Sequence, residues 1–445
     1  MTIRRQPADF VVLERPSAAF TDALRAARGG PAMHAVYELT KESLGTPEAV
    51  DQFARAVGTR GGTVDYAGLK DKHARTTQLV SVRLDQGEPA REVGGRGWSA
   101  RMLGWHERPV TAAEIEGNRF EIVVRDLSKQ QSTEMGMRSE RLRIGATDAG
   151  AGGPSQQVEP DPTGGTPAPR NGLLILNYFG AQRFGSARHG EGFVAPRLIR
   201  GDFEGALKLA IGTPARKDTG KTRAFSRLCA THWGDWKKLA AQLPRCPERR
   251  AIEALAAGGT FAKAFESLPN FTQQMCVEAF QSHLWNAAAR KLAERIAAEF
   301  TERWTREGGE KAAKATAFRP VAPLRGDDEF GVMLFPTARM VDEAWRDAIM
   351  PVLGPKTALV EPWGPAAAAV LEEEGVKLEE LRIPGVRRPY FGEADRALFV
   401  VAEGFAMSPV ERDELSAGGK RVKRMVRFSL GRGAYATVVL RALGQ

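Results

Sequence analysis

Strand-type and helix-type hydrophobic patterns are segregated along this chain. Short apolar or alternating runs lie in the first 140 residues and again near the end, while the region between about 180 and 380 has helical spacing. If both ends contribute to one sheet, the helical middle is a domain inserted into another domain. In the first part, Phe10-Val11-Val12-Leu13, Thr63 to Tyr66 and Gln78 to Val82 read as strands. Ala49 to Val57 has helical spacing through Val50, Phe53 and Val57. Phe120 to Arg125 alternates, with Phe120, Ile122 and Val124 on one face. In the middle, Phe280, Leu284, Leu292 and Ile296 recur at multiples of four inside Glu278 to Phe300. Met425 to Leu430 and Tyr435 to Leu440 are expected to be strands on either side of a Gly431-Arg432-Gly433 turn. Strand and helix do not alternate strictly, so the pattern predicts an α+β fold, not a doubly wound sheet.

Two segments depart from this pattern. Residues 145–172 hold seven Gly and five Pro in 28 positions, with Val158 the one large aliphatic, and are expected to form a flexible insertion. The charged stretch 301–328 is expected to be a solvated loop or a frayed helix end. The chain of 445 residues is 42% hydrophobic and 27% charged, which suits a buried core and excludes global disorder. No apolar run is long enough to span a membrane and the start lacks an apolar leader stretch, so a cytoplasmic protein is expected. The net charge of +10 favours a polyanionic partner without proving one.

Several chemistries have no visible site. Gly431 to Ala436 matches a dinucleotide fingerprint, but the remaining chain is read as too short for the helix and acidic residue that should follow. Cys229, His232 and Cys246 lack a second close pair to complete a zinc site. There is no Walker loop, no GxSxG elbow and no HExxH helix.

Two segments remain. Tyr66 to Gln78 (YAGLKDKHARTTQ) is a loop between strands in which Lys70, Lys72, His73 and Arg75 surround Asp71. Such a carboxylate suits a nucleophile or base, and a charged surface turn is the alternative. Asn177 to Gly185 (NYFGAQRFG) interleaves three aromatics with Arg183. It could be a stacking platform for bases or a packed corner.

The string AGLKDKHARTTQ resembles the signature loop of the TruD family of tRNA pseudouridine synthases, and NYFGAQRFG is similar to that family's other hallmark. Pro7 to Phe10, Gly117 to Phe120, Ala279 to Asn286 and Gly433 to Arg441 follow in the same order, so the resemblance runs from residue 7 to 441.

This resemblance implies a pseudouridine-synthase catalytic domain with a central mixed or antiparallel sheet, interrupted by a mainly helical, family-specific domain. The catalytic part is expected at 1–179 plus 383–445 and the inserted part at 180–382. The implied reaction converts uridine to pseudouridine in tRNA, at position 13 in bacterial members, with no metal and no cofactor. The partner is tRNA, no membrane is involved, and a monomer is expected. The family's catalytic aspartate falls on Asp71, and its substrate-binding positions fall on Phe10, Asn118, Phe120 and Tyr435. A position held by Lys in familiar members reads Arg4, which keeps the charge and changes the geometry. An RNA-binding protein without turnover is the rival reading, disfavoured by a carboxylate beside a polyanion. Glycoside hydrolysis typically wants a second positioned carboxylate, and none accompanies Asp71 in its loop.

Overall fold

The computed structural model describes residues 1–30, 33–59, 63–83, 89–144, 171–185, 187, 191–214, 218, 220–307, 322–328 and 331–445. Most of the Gly/Pro-rich stretch, 145–170, and the central part of the charged stretch, 308–321, lie outside the described residues. The strands in chain order are β1 (Phe10–Pro16), β2 (His34–Glu42), β3 (Val64–Tyr66), β4 (Arg75–Arg83) and β5 (Glu92–Gly95). They continue with β6 (Trp98–His106), β7 (Ile115–Leu127), β8 (Arg143–Ile144), β9 (Gly172–Leu176) and β10 (Leu324–Asp328). The last are β11 (Gly331–Phe335), β12 (Phe399–Met407), β13 (Glu411–Arg412) and β14 (Val422–Gly431).

The chain divides into two units, residues 1–175 with 400–445, and residues 176–399. Both ends of the chain therefore build one unit. The sequence reading put the joins at 179/180 and 382/383.

The first unit is a sheet of order β5-β6-β2-β4-β1-β7-β14-β12-β9-β8, with β3 on β4 and β13 on β14. β1 runs parallel to β4 and antiparallel to β7, so the sheet is mixed, and the fold is α+β. The C-terminal strand β14 lies directly beside β7, which is how the end of the chain meets its beginning. Gly117 makes this approach possible, because a Cβ there would run into the Leu430 carbonyl of β14.

The alternation read in β7 is present, with Phe120, Ile122 and Val124 buried. The helix Thr46–Ala56 starts with Pro47 in its first turn and lays Ala49, Val50 and Phe53 on the sheet, where Phe53 meets Tyr37 edge to face at 4.9 Å. Leu39, Val80, Val82 and Trp98 complete that core.

One strand expected from the sequence is a helix. Residues Ala436–Ala442 are α-helical, although the β-branched Thr437, Val438 and Val439 favour strands. Gly433 takes a left-handed φ of 79°, the chain turns after β14, and burial of Ala436, Val439 and Leu440 decides the conformation over intrinsic propensity. A helix thus does follow the GxGxxA-like string, but it closes an antiparallel ladder.

The second unit is mainly helical. Its spine is the helix Asn270–Arg306, longer at both ends than the pattern indicated, with Phe280, Leu284, Trp285, Leu292 and Ile296 fully buried. The helix continues through residues 301–306, and residues 324–328 pair as a hairpin with 331–335, so those parts of the charged stretch are ordered structure and not loop.

The NYFGAQRFG segment is a packed corner of this unit, not a stacking platform. Tyr178, Phe179 and Phe184 are buried. The Tyr178 hydroxyl donates to the Leu334 carbonyl at 2.9 Å, and Asn286 bridges both backbone polar groups of Phe179. Arg396 lies 3.9 Å from the Phe179 ring centre, and Arg183 pairs with Glu278 at 2.7 Å. Aromatic faces packed in this way are not open to bases.

Candidate active site

Residues that oppose each other across a ladder share one face of the sheet, and so do residues two apart along a strand. Phe10 lies opposite Ile122, Val12 opposite Phe120 and Glu14 opposite Asn118. On the other side of β7, Phe428 faces Phe120 and Leu430 faces Asn118. Phe10, Glu14, Asn118 and Phe120 therefore project from the same face. In the β2–β4 ladder Lys41 opposes Thr76 and Leu39 opposes Gln78. The segment between β3 and β4, which carries Asp71, is tied to side chains from these strands and from the helix Thr46–Ala56.

Four contacts pin that loop. Gln78 Nε2 donates to the Gly68 carbonyl at 3.2 Å, and Thr46 Oγ1 accepts from the Lys70 amide at 2.9 Å. The Lys41 Nζ, on a fully buried side chain, donates to the Asp71 carbonyl at 2.9 Å. Burial pushes the Lys41 amine down to about 8, opposed by the nearby Asp71 charge. Asp71 itself caps the turn, its Oδ1 accepting from the His73 amide at 2.9 Å.

The cation on the carboxylate comes from elsewhere in the chain. Arg4 places a guanidinium nitrogen 3.0 Å from Asp71 Oδ2, and its Cζ lies 4.5 Å from the centre of the Phe10 ring. The Asp71 side chain is 18% exposed, so both oxygens are held while the group stays within reach of solvent. Lys72, His73 and Arg75 are exposed, and the Lys70 ammonium is engaged by other side chains. Lys70 pairs with Glu14, whose side chain is only 1% exposed, and donates to Asn118 Oδ1 at 2.9 Å.

An ammonium group can only donate, so the atom of Asn118 that faces it must be its oxygen, and the Nδ2 is left for other acceptors. Glu14 Oε2 also accepts from the Leu79 amide at 2.9 Å. Glu14 is thus a second carboxylate near the loop, neutralised by Lys70.

Of the residues singled out in the sequence, Arg4, Asp71 and Phe10 are in contact, Phe10 meets Phe120 edge-on at 6.4 Å, and Asn118 joins the group through Lys70. Phe120 is 8% exposed and lies 5.5 Å from Phe428. Tyr435 is half-buried at the start of the last helix, just past the end of β14 that pairs with Gly117.

The sequence reading missed Glu14, Lys41, Thr46 and Gln78. Two of these had a signal: Glu14 continues the Phe10, Val12 face, and Lys41 continues the Tyr37, Leu39 face, so each is a charge at a position whose period calls for an apolar residue.

The arrangement provides one oriented carboxylate beside buried aromatic rings and amide donors. The family model for tRNA pseudouridine synthase D (TruD) matches residues 1–443. This chain belongs to the TruD family. TruD of Aquifex aeolicus is 26% identical over 419 residues, covering 92% of this chain and 91% of that protein. A relative from Halobacterium salinarum is 29% identical over 450 residues, covering 99% and 92%. A TruD structure from Methanosarcina mazei superposes with a TM-score of 0.61 at 22% identity, over 99% of this chain and 92% of that one, and shows the shared fold. TruD proteins are isomerases that act on tRNA. No helix among the described residues is long and apolar enough to cross a membrane.

Proposed function

We propose that this TruD protein isomerises uridine to pseudouridine at position 13 of tRNA, with Asp71 as its acting carboxylate. The observation that carries the assignment is the state of that carboxylate, fixed through Arg4 and the His73 amide on a loop braced from beneath by Lys41. Preorganisation of this kind avoids a reorganisation cost during reaction.

The reaction breaks the bond between uracil N1 and the sugar C1′, turns the base, and joins C5 to C1′. The proton leaves C5 and one appears on N1, so the product is an isomer and no co-reactant is consumed. Asp71 initiates this by attacking C1′ or by taking a sugar proton; both routes need one oriented oxygen. The detached uracil must be held while it turns. Phe10 and Phe120, 4% and 8% exposed, give the site an apolar floor, the half-buried Tyr435 offers the more accessible ring, and the Asn118 amide, its oxygen held by Lys70, supplies a donor for a uracil carbonyl. Arg4 compensates the carboxylate charge, and its partly exposed side chain can also meet an RNA phosphate. We take the working species to be a cytoplasmic monomer; the net charge of +10 suits its polyanionic substrate.

Asp71→Asn keeps the size of the side chain and removes its nucleophilicity and basicity. The variant should bind tRNA within a few fold of wild type and form no pseudouridine. Turnover above about one per cent of wild type would overturn the role of Asp71, since base or covalent catalysis supplies at least about two orders of magnitude. Base-resolved mapping of pseudouridine in tRNA with and without the protein tests the position.

A further inference from the structure

Leu69 is 67% exposed, the most exposed large aliphatic side chain among the described residues, and it lies two positions before Asp71. A single exposed leucine is ordinary on a mobile loop. This one is on a braced loop. The Gly68 carbonyl is held by Gln78, the Lys70 amide by Thr46, and the Asp71 carbonyl by Lys41. On either side of Leu69 the backbone is tied to the sheet and its helix, yet the side chain is given to solvent. Lys70 folds inward to Glu14, and a Cβ built on Gly68 would meet nothing within 4 Å. The loop therefore presents an apolar side chain on a rigid mount beside the carboxylate, with the exposed cations Lys72 and Arg75 following it.

We propose that Leu69 is an RNA-contacting wedge, which enters the base stack of the tRNA beside the target uridine and fills the space left when that base turns out toward Asp71. The proposal rests on the reading of the chain as a tRNA-modifying enzyme. A uridine inside a folded tRNA is stacked, and a carboxylate on a protein loop cannot reach its C1′ and accommodate a turning base while it stays so. Proteins that unstack a base step commonly insert an apolar side chain to hold the gap open. Leucine suits that role because it covers base faces without competing for their hydrogen bonds. Its mount matters as much as its chemistry, since a wedge on a loose loop would yield before the stack does.

The test uses full-length Leu69→Ala and Leu69→Met on two substrates: a tRNA transcript, and the same transcript with an abasic nucleotide next to the target uridine, which leaves that uridine unstacked. Single-turnover rates are read alongside the fluorescence of a 2-aminopurine placed beside the target. With Leu69→Ala we expect the melting temperature unchanged, tRNA affinity within about threefold, and a rate on intact tRNA at least tenfold lower, with the 2-aminopurine signal reduced to match. On the abasic-flanked substrate the deficit should disappear, and Leu69→Met should restore most of the rate on intact tRNA. A wild-type rate for Leu69→Ala on intact tRNA would overturn the wedge. An equal loss on both substrates would also overturn it, because the side chain would then act on the chemistry or on the loop. Absence of turnover by the wild-type protein on either substrate would instead overturn the functional reading on which the wedge depends.

Discussion

Arg4 and Asp71 form an ion pair of 3.0 Å between the N-terminal segment and the loop ahead of β4. The segment is anchored by Asp9, whose Oδ2 accepts from the Arg5 and Gln6 amides and whose Oδ1 pairs with the buried Arg125 at 2.8 Å. Arg125 also pairs with Asp413 at 2.8 Å. A network of buried charges, drawn from three distant parts of the sequence, therefore sets where Arg4 begins and so where its guanidinium reaches.

Arg4→Met should lower the rate of pseudouridine formation by about tenfold or more, since a charge-assisted hydrogen bond is worth about 1.5–3 kcal/mol. Arg4→Lys should retain most of the activity. The pair uses one guanidinium nitrogen, a contact that an ammonium can reproduce, and stacking on Phe10 is what lysine loses in part. Rates under saturating tRNA for the two variants check this; equal loss in both would show that planarity and not charge is what Asp71 requires.

Lys41→Met should flatten the dependence of stability on pH above about 8. Burial holds the amine near 8 in the folded protein against 10.5 ordinarily, so between those values the unfolded chain binds more protons than the folded one. Stability then rises with pH across that window, and the destabilising contribution is complete below it. Melting temperatures of wild type and variant between pH 7 and 10 give the difference slope. The same variant should lose at least about tenfold in turnover, because the Asp71 carbonyl loses its donor.

Arg125→Met should destabilise the protein by about 3–5 kcal/mol, as removing one member of a buried ionic network leaves charges without compensation. Asp9 and Asp413 are both fully buried and would be left in that state. Denaturant unfolding measures the loss. Glu414, held down to about 2 by Arg125 and Lys423, is exposed and would lose a partner without being stranded.

Phe120→Ala should cost about 3–5 kcal/mol of stability, since the ring is almost fully buried between Phe10 and Phe428. Activity separates packing from stacking. If the ring also holds the uracil, Phe120→Tyr keeps much of the rate, and Phe120→Leu loses more than its small change in melting temperature explains, with stacking worth about 1–3 kcal/mol. Activity that simply tracks melting temperature across Tyr, Leu and Ala would remove Phe120 from the substrate.

Periodicity and motif order in the sequence determined the α+β class, the partition into a sheet built from both ends and a helical middle, and the loop that carries Asp71. These are local properties: alternation, helical spacing and a short string can be read without knowing what packs against what. Tertiary structure alone decided which cation meets the carboxylate. The charges adjacent in sequence, Lys72, His73 and Arg75, point to solvent, while Arg4 arrives from the chain terminus and Lys70 is drawn off by Glu14. It also decided that Tyr178, Phe179 and Phe184 are core and that the β-branched run after Tyr435 is a helix. Partner choice and burial depend on residues that are remote in sequence and adjacent in space, where the desolvation of a charge or the packing of a valine outweighs its local preference.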